Sequence, residues 1–150
     1  MQRISHIGGL LKKIYRIYSS KILSSLVDRG FTDLRASFLE VLIHLCEKEG
    51  DSIRDIGQSL GLKKQTMTSH LNELEVRGYI TRKMNPLDKR EQNVYLTEYG
   101  HKFKFNLYEC IGEIEQSMVD LIGDIELDRI EKALINFHEK ISHKSSRSQA

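Results

Sequence analysis

The stretch Asp88-Lys89-Arg90-Glu91-Gln92-Asn93-Val94-Tyr95-Leu96-Thr97-Glu98-Tyr99-Gly100 restricts the fold of this chain more than any other. It opens as a charged loop tip, continues as an alternating strand and closes as a helix start. Upstream, Ser52 to Ile80 reads as two short helices joined by a tight turn. Ser52-Ile53-Arg54-Asp55 has the form of a capping box, with Asp in place of the usual Glu or Gln, and opens a helix that ends before Gly61. Lys63 or Lys64 starts the next helix, which places Met67, Leu71, Leu74 and Gly78 on one face. Residues 79–84 and 93–96 read as strands, with Asn85-Pro86-Leu87-Asp88 as the turn between them. Thr97 is the expected N-cap of a long helix reaching Ile122, with Gly123 as its stop.

Helices also dominate the two ends. Ile4, Ile7, Leu11, Ile14, Tyr18, Ile22 and Leu26 recur at three- and four-residue steps, although Gly8 and Gly9 weaken the first turns. Another helix spans about 35–48, and a last one carries Ile130, Leu134, Phe137 and Ile141. Residues 142–150 read as a frayed tail. The expected fold is mainly α with a small β-hairpin wing. A winged helix-turn-helix core (about 35–100) is flanked by dimerisation helices (about 1–30 and 101–141), all within one domain of residues 1–141. The apolar stripes at both ends predict packing against each other and against a second copy; the competing reading folds both helices onto their own module.

Charge is unevenly placed. The chain carries a net +2, yet the window from Lys63 to Arg90 holds seven Lys/Arg against three acids, a net of +4. Positive charge concentrated on one subregion fits a polyanion partner. Nothing approaches the ~20 apolar residues of a bilayer span, and Lys12, Lys13 and Arg16 break up the N-terminal apolar pattern. The expectation is a cytoplasmic protein without a signal peptide or a membrane partner. Cys46 and Cys110 lie in apolar helical patterns and read as reduced core thiols. The six histidines form no ligand set, so no metal or cofactor is expected. No nucleophile triad, phosphate loop or inward acid pair emerges, which argues against an enzyme.

Around the helix after Lys63, the face opposite the apolar one carries Gln65, Thr68, Ser69 and Asn72, with Lys64 and Thr66 at its first turn. Such side chains can donate to phosphates and to base edges in a major groove; a plain solvated helix face would more usually carry Glu and Lys. The helix N-terminus adds free N–H groups and a positive dipole end. On the hairpin tip, Lys89 and Arg90 serve no core, and a guanidinium there can enter a narrow minor groove. Asp88 would repel DNA, so it is read as orienting Arg90 by a bidentate pair, with a simple turn-forming role as the alternative. Arg54, Lys63, Arg82 and Lys89 are read as phosphate anchors.

These residues resemble the MarR family of winged-helix transcription regulators. Its wing pattern, Asp-x-Arg followed by Leu-Thr-x-x-Gly, is met by Asp88, Arg90, Leu96, Thr97 and Gly100. Leu71, Leu74, Gly78, Tyr79, Ile80 and Arg82 match the stretch before it. Two positions depart: Lys63 stands where a Ser cap is frequent, and Gly57 where Ala is common. The resemblance implies an obligate homodimer joined through its first and last helices and bound to pseudo-palindromic double-stranded operators. It also implies Arg90 in the minor groove and the helix from Lys64 in the major groove. Members usually repress nearby genes and leave DNA when a small-molecule inducer or oxidant acts. For an inducer it points to a crevice between the first, second and fifth helices, which Tyr15, Arg16 and His44 could reach. The function expected is thus a dimeric, sequence-specific repressor released by a small ligand. The alternatives are a redox-switched regulator using Cys46 or Cys110 and a winged helix used for protein interaction.

Overall fold

The computed structural model describes residues 2–147, and side chains as far as residue 143. Among the described residues six helices and two strands follow in the order α1 (Arg3–Asp28), α2 (Ala36–Glu47), α3 (Ile53–Leu60), α4 (Lys64–Val76), β1 (Ile80–Met84), β2 (Gln92–Leu96), α5 (Glu98–Ile122) and α6 (Asp124–Arg147). They group into two compact units, residues 1–110 and 111–150, with α5 passing from one to the other. No described helix is long and apolar enough to cross a membrane.

In the first unit α2 is the centre. Phe38, Leu39, Val41, Leu42 and Leu45 are all buried, and the helix packs against α1, α3, α4 and β2. This explains why α2 is the most uniformly apolar helix of the chain: it has several faces to satisfy. A second focus is aromatic. Phe31, Tyr79, Tyr99 and Phe103 meet with ring centroids 5.0–6.5 Å apart, and the Tyr79 hydroxyl donates to Asp33 Oδ1 at 2.7 Å. That bond removes the cost of burying the phenol.

The capping signals perform as read. Ser52 Oγ accepts from the Asp55 N–H at 3.1 Å, and Gly61 adopts the left-handed conformation after α3 at φ 67°. β1 and β2 pair antiparallel from Ile80↔Leu96 to Met84↔Gln92. The α2–α3 loop extends this hairpin on its other edge: Gly50 N–H donates to Val94 O at 2.9 Å, and Val94 N–H to Asp51 O at 3.0 Å. Glu49 Oε1 accepts from the Leu96 N–H at 3.0 Å. The wing is therefore anchored to the core along β2, and only its loop projects.

Two expectations need correction. α1 runs without interruption from Arg3 through Gly8 and Gly9. Two glycines cost about 1 kcal/mol each against alanine, too little to break a helix of 26 residues. At the other end, residues 142–147 continue α6 instead of fraying, because no Gly or Pro interrupts the chain between Asp124 and Arg147. The last three positions of the expected tail, 148–150, lie outside the described residues.

Candidate nucleic-acid interface

α4 is set on the core by Met67, Leu71 and Leu74, all buried. Its opposite side is bare: Lys64, Gln65, Thr68, Ser69 and Asn72 are exposed, and Thr66 is half-buried. Lys63 occupies the N-cap without a side-chain cap bond, so its ammonium extends into solvent beside the first turn. Gly57 fits this arrangement, since a Cβ there would meet Met67 Cγ at 3.2 Å and the Leu62 carbonyl at 3.3 Å. A Cβ would be accommodated there only if these neighbours gave way by a few tenths of an ångström.

Between α3, α4 and the wing lies an open groove of about 940 Å³. It brings together Arg54 from α3, Lys64 and Thr68 from α4, Arg82 from β1, and Asp88, Lys89 and Arg90 from the wing. Lys63, Gln65, Thr66 and Ser69 are not among its lining residues; they sit on the neighbouring surface of α4. Gln58 and Gln92 also line the groove and went unremarked in the sequence. Helical arithmetic could have found Gln58, which stands four residues after Arg54 on α3.

The wing loop is held by its own backbone and short polar side chains. Asn85 N–H donates to Glu91 O at 2.9 Å, Glu91 N–H to Asp88 O at 3.0 Å, and Leu87 N–H to Asn85 Oδ1 at 2.9 Å. Asp88 Oδ1 accepts from Arg90 N–H at 3.0 Å and from Arg90 Nε at 3.2 Å. The expected fork between two carboxylate oxygens and the guanidinium is therefore not what forms. One oxygen makes both contacts, so Asp88 shapes the turn and aims Arg90 together. The Arg90 side chain remains 91% exposed.

Two other groups are less free than expected. Thr68 Oγ1 donates to the Lys64 carbonyl at 2.9 Å, which leaves its oxygen as an acceptor toward the groove. Arg82 lines the groove but is also engaged by α4 through Glu75 and Asn72; residues 72, 75 and 82 lie too far apart for local patterning to pair them.

The candidate ligand residues do not form a comparable cluster. Tyr15 donates to Glu40 Oε1 at 2.9 Å, and partial burial together with that carboxylate pushes its phenol up to about 12. His44 is buried with Nε2 2.9 Å from Asp51 Oδ2. Arg16 is exposed on α1. None of the three lines the groove. Both cysteines are buried. Desolvation pushes the Cys46 thiol up to about 12, and Cys110 Sγ accepts from the Ser25 hydroxyl at 3.0 Å.

Comparison with known proteins places this geometry. Residues 32–91 match the sequence model of the MarR family. The chain is 38% identical over 84 residues to the HTH-type transcriptional regulator TtmR of Methylorubrum extorquens; that alignment spans 56% of this chain but only 43% of TtmR. Among solved structures, a MarR transcriptional regulator from Methanosarcina mazei superposes with a TM-score of 0.79 at 22% identity, covering 92% of this chain and 98% of that one. The PcaV transcriptional regulator of Streptomyces coelicolor, solved with its natural ligand, gives a TM-score of 0.70 at 18% identity over 93% and 96% of the two chains. At such identities the superpositions establish the fold, a mainly helical winged helix, while the matched sequence covers the core of the interface. The similarity to the MarR family model is confined to residues 32–91, from α2 to the wing loop.

Proposed function

We propose that this protein is a dimeric, sequence-specific DNA-binding transcription regulator that represses from a pseudo-palindromic operator and is released by a small ligand. The observation that carries the reading is the convergence of Arg54, Lys64, Lys89 and Arg90, from three separate elements, on one groove beside the polar face of α4. A polyanion is the partner that such convergence favours. In this reading Lys64, Gln65, Thr66, Thr68 and Ser69 serve the major groove, and Arg90, aimed by Asp88, enters the minor groove. Arg54, Lys63 and Lys89 grip phosphates. A transcription regulator needs no catalytic set, and none of these roles calls for one.

Dimerisation is supported by apolar surface that each unit leaves uncovered. Ile4, Leu10, Leu11, Ile14 and Ile17 are exposed on α1, as are Ile130, Leu134, Phe137 and Ile141 on α6. A stripe of this kind on a soluble helix marks an interaction surface. Ligand release takes its support from PcaV, a regulator of this fold solved with its natural ligand, and from the Tyr15–Glu40 pair, a polar contact between α1 and α2. The redox alternative is disfavoured for Cys46, since a thiol raised to about 12 is a poor thiolate source, and Cys110 is likewise buried.

The test is fluorescence anisotropy with duplex DNA from upstream of the protein's own gene, across a salt series. Tight binding that falls steeply with salt and is much weaker on scrambled duplex is the expected result. No binding to any duplex at low salt would move the function to protein interaction.

A further inference from the structure

Arg82 and Asn72 stand apart in the sequence reading, one as a phosphate anchor and the other on the reading face of α4. In the folded chain Arg82 Nε donates to Glu75 Oε2 at 2.7 Å, and Arg82 Nη2 donates to Asn72 Oδ1 at 2.8 Å. The Arg82 side chain is 20% exposed, against 91% for Arg90. Both acceptors lie on α4, three residues apart and thus on adjacent turns of one face. Two of the five guanidinium N–H donors are thus committed to α4, and the guanidinium charge is met by the Glu75 carboxylate.

The consequence for Asn72 is chemical. A free amide presents either end, and pairing with adenine requires its oxygen and its nitrogen together. With Oδ1 turned to Arg82, the Nδ2 hydrogens face away from it. The side chain then offers donors, which suit an acceptor edge such as guanine N7 and O6 or thymine O4. We infer that Arg82 is a positioning residue for base reading: it holds Asn72 as a donor on α4 and ties that helix to wing strand β1. The inference rests on the proposed DNA-binding function and adds to it a determinant of sequence preference.

Lysine keeps the charge of arginine but not its planar fork, so Arg82→Lys separates the two roles. Wild-type protein first selects a preferred duplex from a random pool. Binding of that duplex and of a scrambled one is then measured across a salt series for wild type, Arg82→Lys and Asn72→Asp. Asn72→Asp keeps an acceptor for Arg82 and removes the donor. Arg82→Lys should lose about tenfold on the preferred duplex while scrambled binding and the salt slope change little. Asn72→Asp, whose added carboxylate weakens binding to any duplex, should lose about tenfold more on the preferred duplex than on the scrambled one. A wild-type-like Arg82→Lys, or equal losses on both duplexes, would overturn the assignment. Side-chain NMR of the DNA-free wild type supplies an independent check: a freely exchanging Arg82 Nε–H would also overturn it. Wild-type protein that binds neither duplex would remove the DNA-binding reading and this inference with it; retained discrimination by Arg82→Lys would remove this inference alone.

Discussion

Gly100 faces Tyr79 so closely that the Tyr79 carbonyl oxygen occupies the space a Cβ on residue 100 would need. The same oxygen accepts from the Thr97 N–H at 3.0 Å. Thr97 Oγ1 donates to the Gly78 carbonyl and accepts from the Gly100 N–H at 3.0 Å. Thr97 and Gly100 thereby fasten the start of α5 to the chain between α4 and β1. A methyl group at residue 100 would also meet Leu96 Cβ at 3.1 Å, so neither side can yield without moving backbone. Gly100→Ala should cost about 1–3 kcal/mol, seen as a melting temperature lower by roughly 2–10 °C. An unchanged melting curve would show that something other than close approach keeps glycine there.

The wing offers a prediction with an unexpected sign. Arg90→Ala should weaken operator binding by roughly 1–3 kcal/mol and leave thermal stability within about 0.5 kcal/mol, since the side chain is 91% exposed. Asp88→Ala removes a negative charge from the groove, and simple electrostatics says that it should bind DNA better. Because Asp88 Oδ1 holds both the backbone and the Nε of Arg90, a net loss of on the order of 1 kcal/mol is expected instead. Tighter binding by Asp88→Ala in anisotropy titrations would refute the aiming role.

Stability should fall at alkaline pH. In the folded chain Tyr15 is raised from 10.0 to about 12, with burial the largest cause, followed by the bond to Glu40. Cys46 is raised from 9.0 to about 12 by burial, and Tyr79 is raised by burial and by its bond to Asp33. In each case the folded state favours the neutral form. The stabilisation is therefore complete below the unfolded pKa and drains away as pH climbs from about 9 toward 12. Urea midpoints measured across that range should decline, with a shallower decline for Cys46→Ala. By the same cause, alkylation at pH 8 should leave Cys46 unlabelled in the native protein and label it in urea; prompt native labelling would reopen the redox reading.

Leu134 tests the proposed dimer. Its side chain is 43% exposed on α6, and substitution at an uncovered surface position changes stability by no more than about 0.5 kcal/mol. Leu134→Glu should nevertheless shift sedimentation from dimer to monomer and weaken operator binding, because the cost arises only against a second copy. Sedimentation unaltered by Leu134→Glu would place the contact elsewhere.

Much of this architecture was readable one segment at a time. The Ser52 cap, the Gly61 and Gly78 terminations, the hairpin and the Thr97 start depend on residues within a few positions of one another, and each formed as read. The Gly8–Gly9 pair misled because a local penalty was weighed without the length of helix around it. Thr97 and Gly100 were visible as a motif, but their reason, the Tyr79 and Gly78 carbonyls, was not.

Sequence by itself determined the order of elements, the apolar face of each helix and the segregation of positive charge into residues 63–90, because periodicity, caps and charge are properties of short stretches. Tertiary structure alone decided which polar groups remain available. It turned Arg82 inward to Glu75 and Asn72, left Arg90 in solvent, joined Tyr15 to Glu40 and paired His44 with Asp51. Long polar side chains have many rotamers of similar energy, and the partner that selects among them is brought near only when separate elements pack.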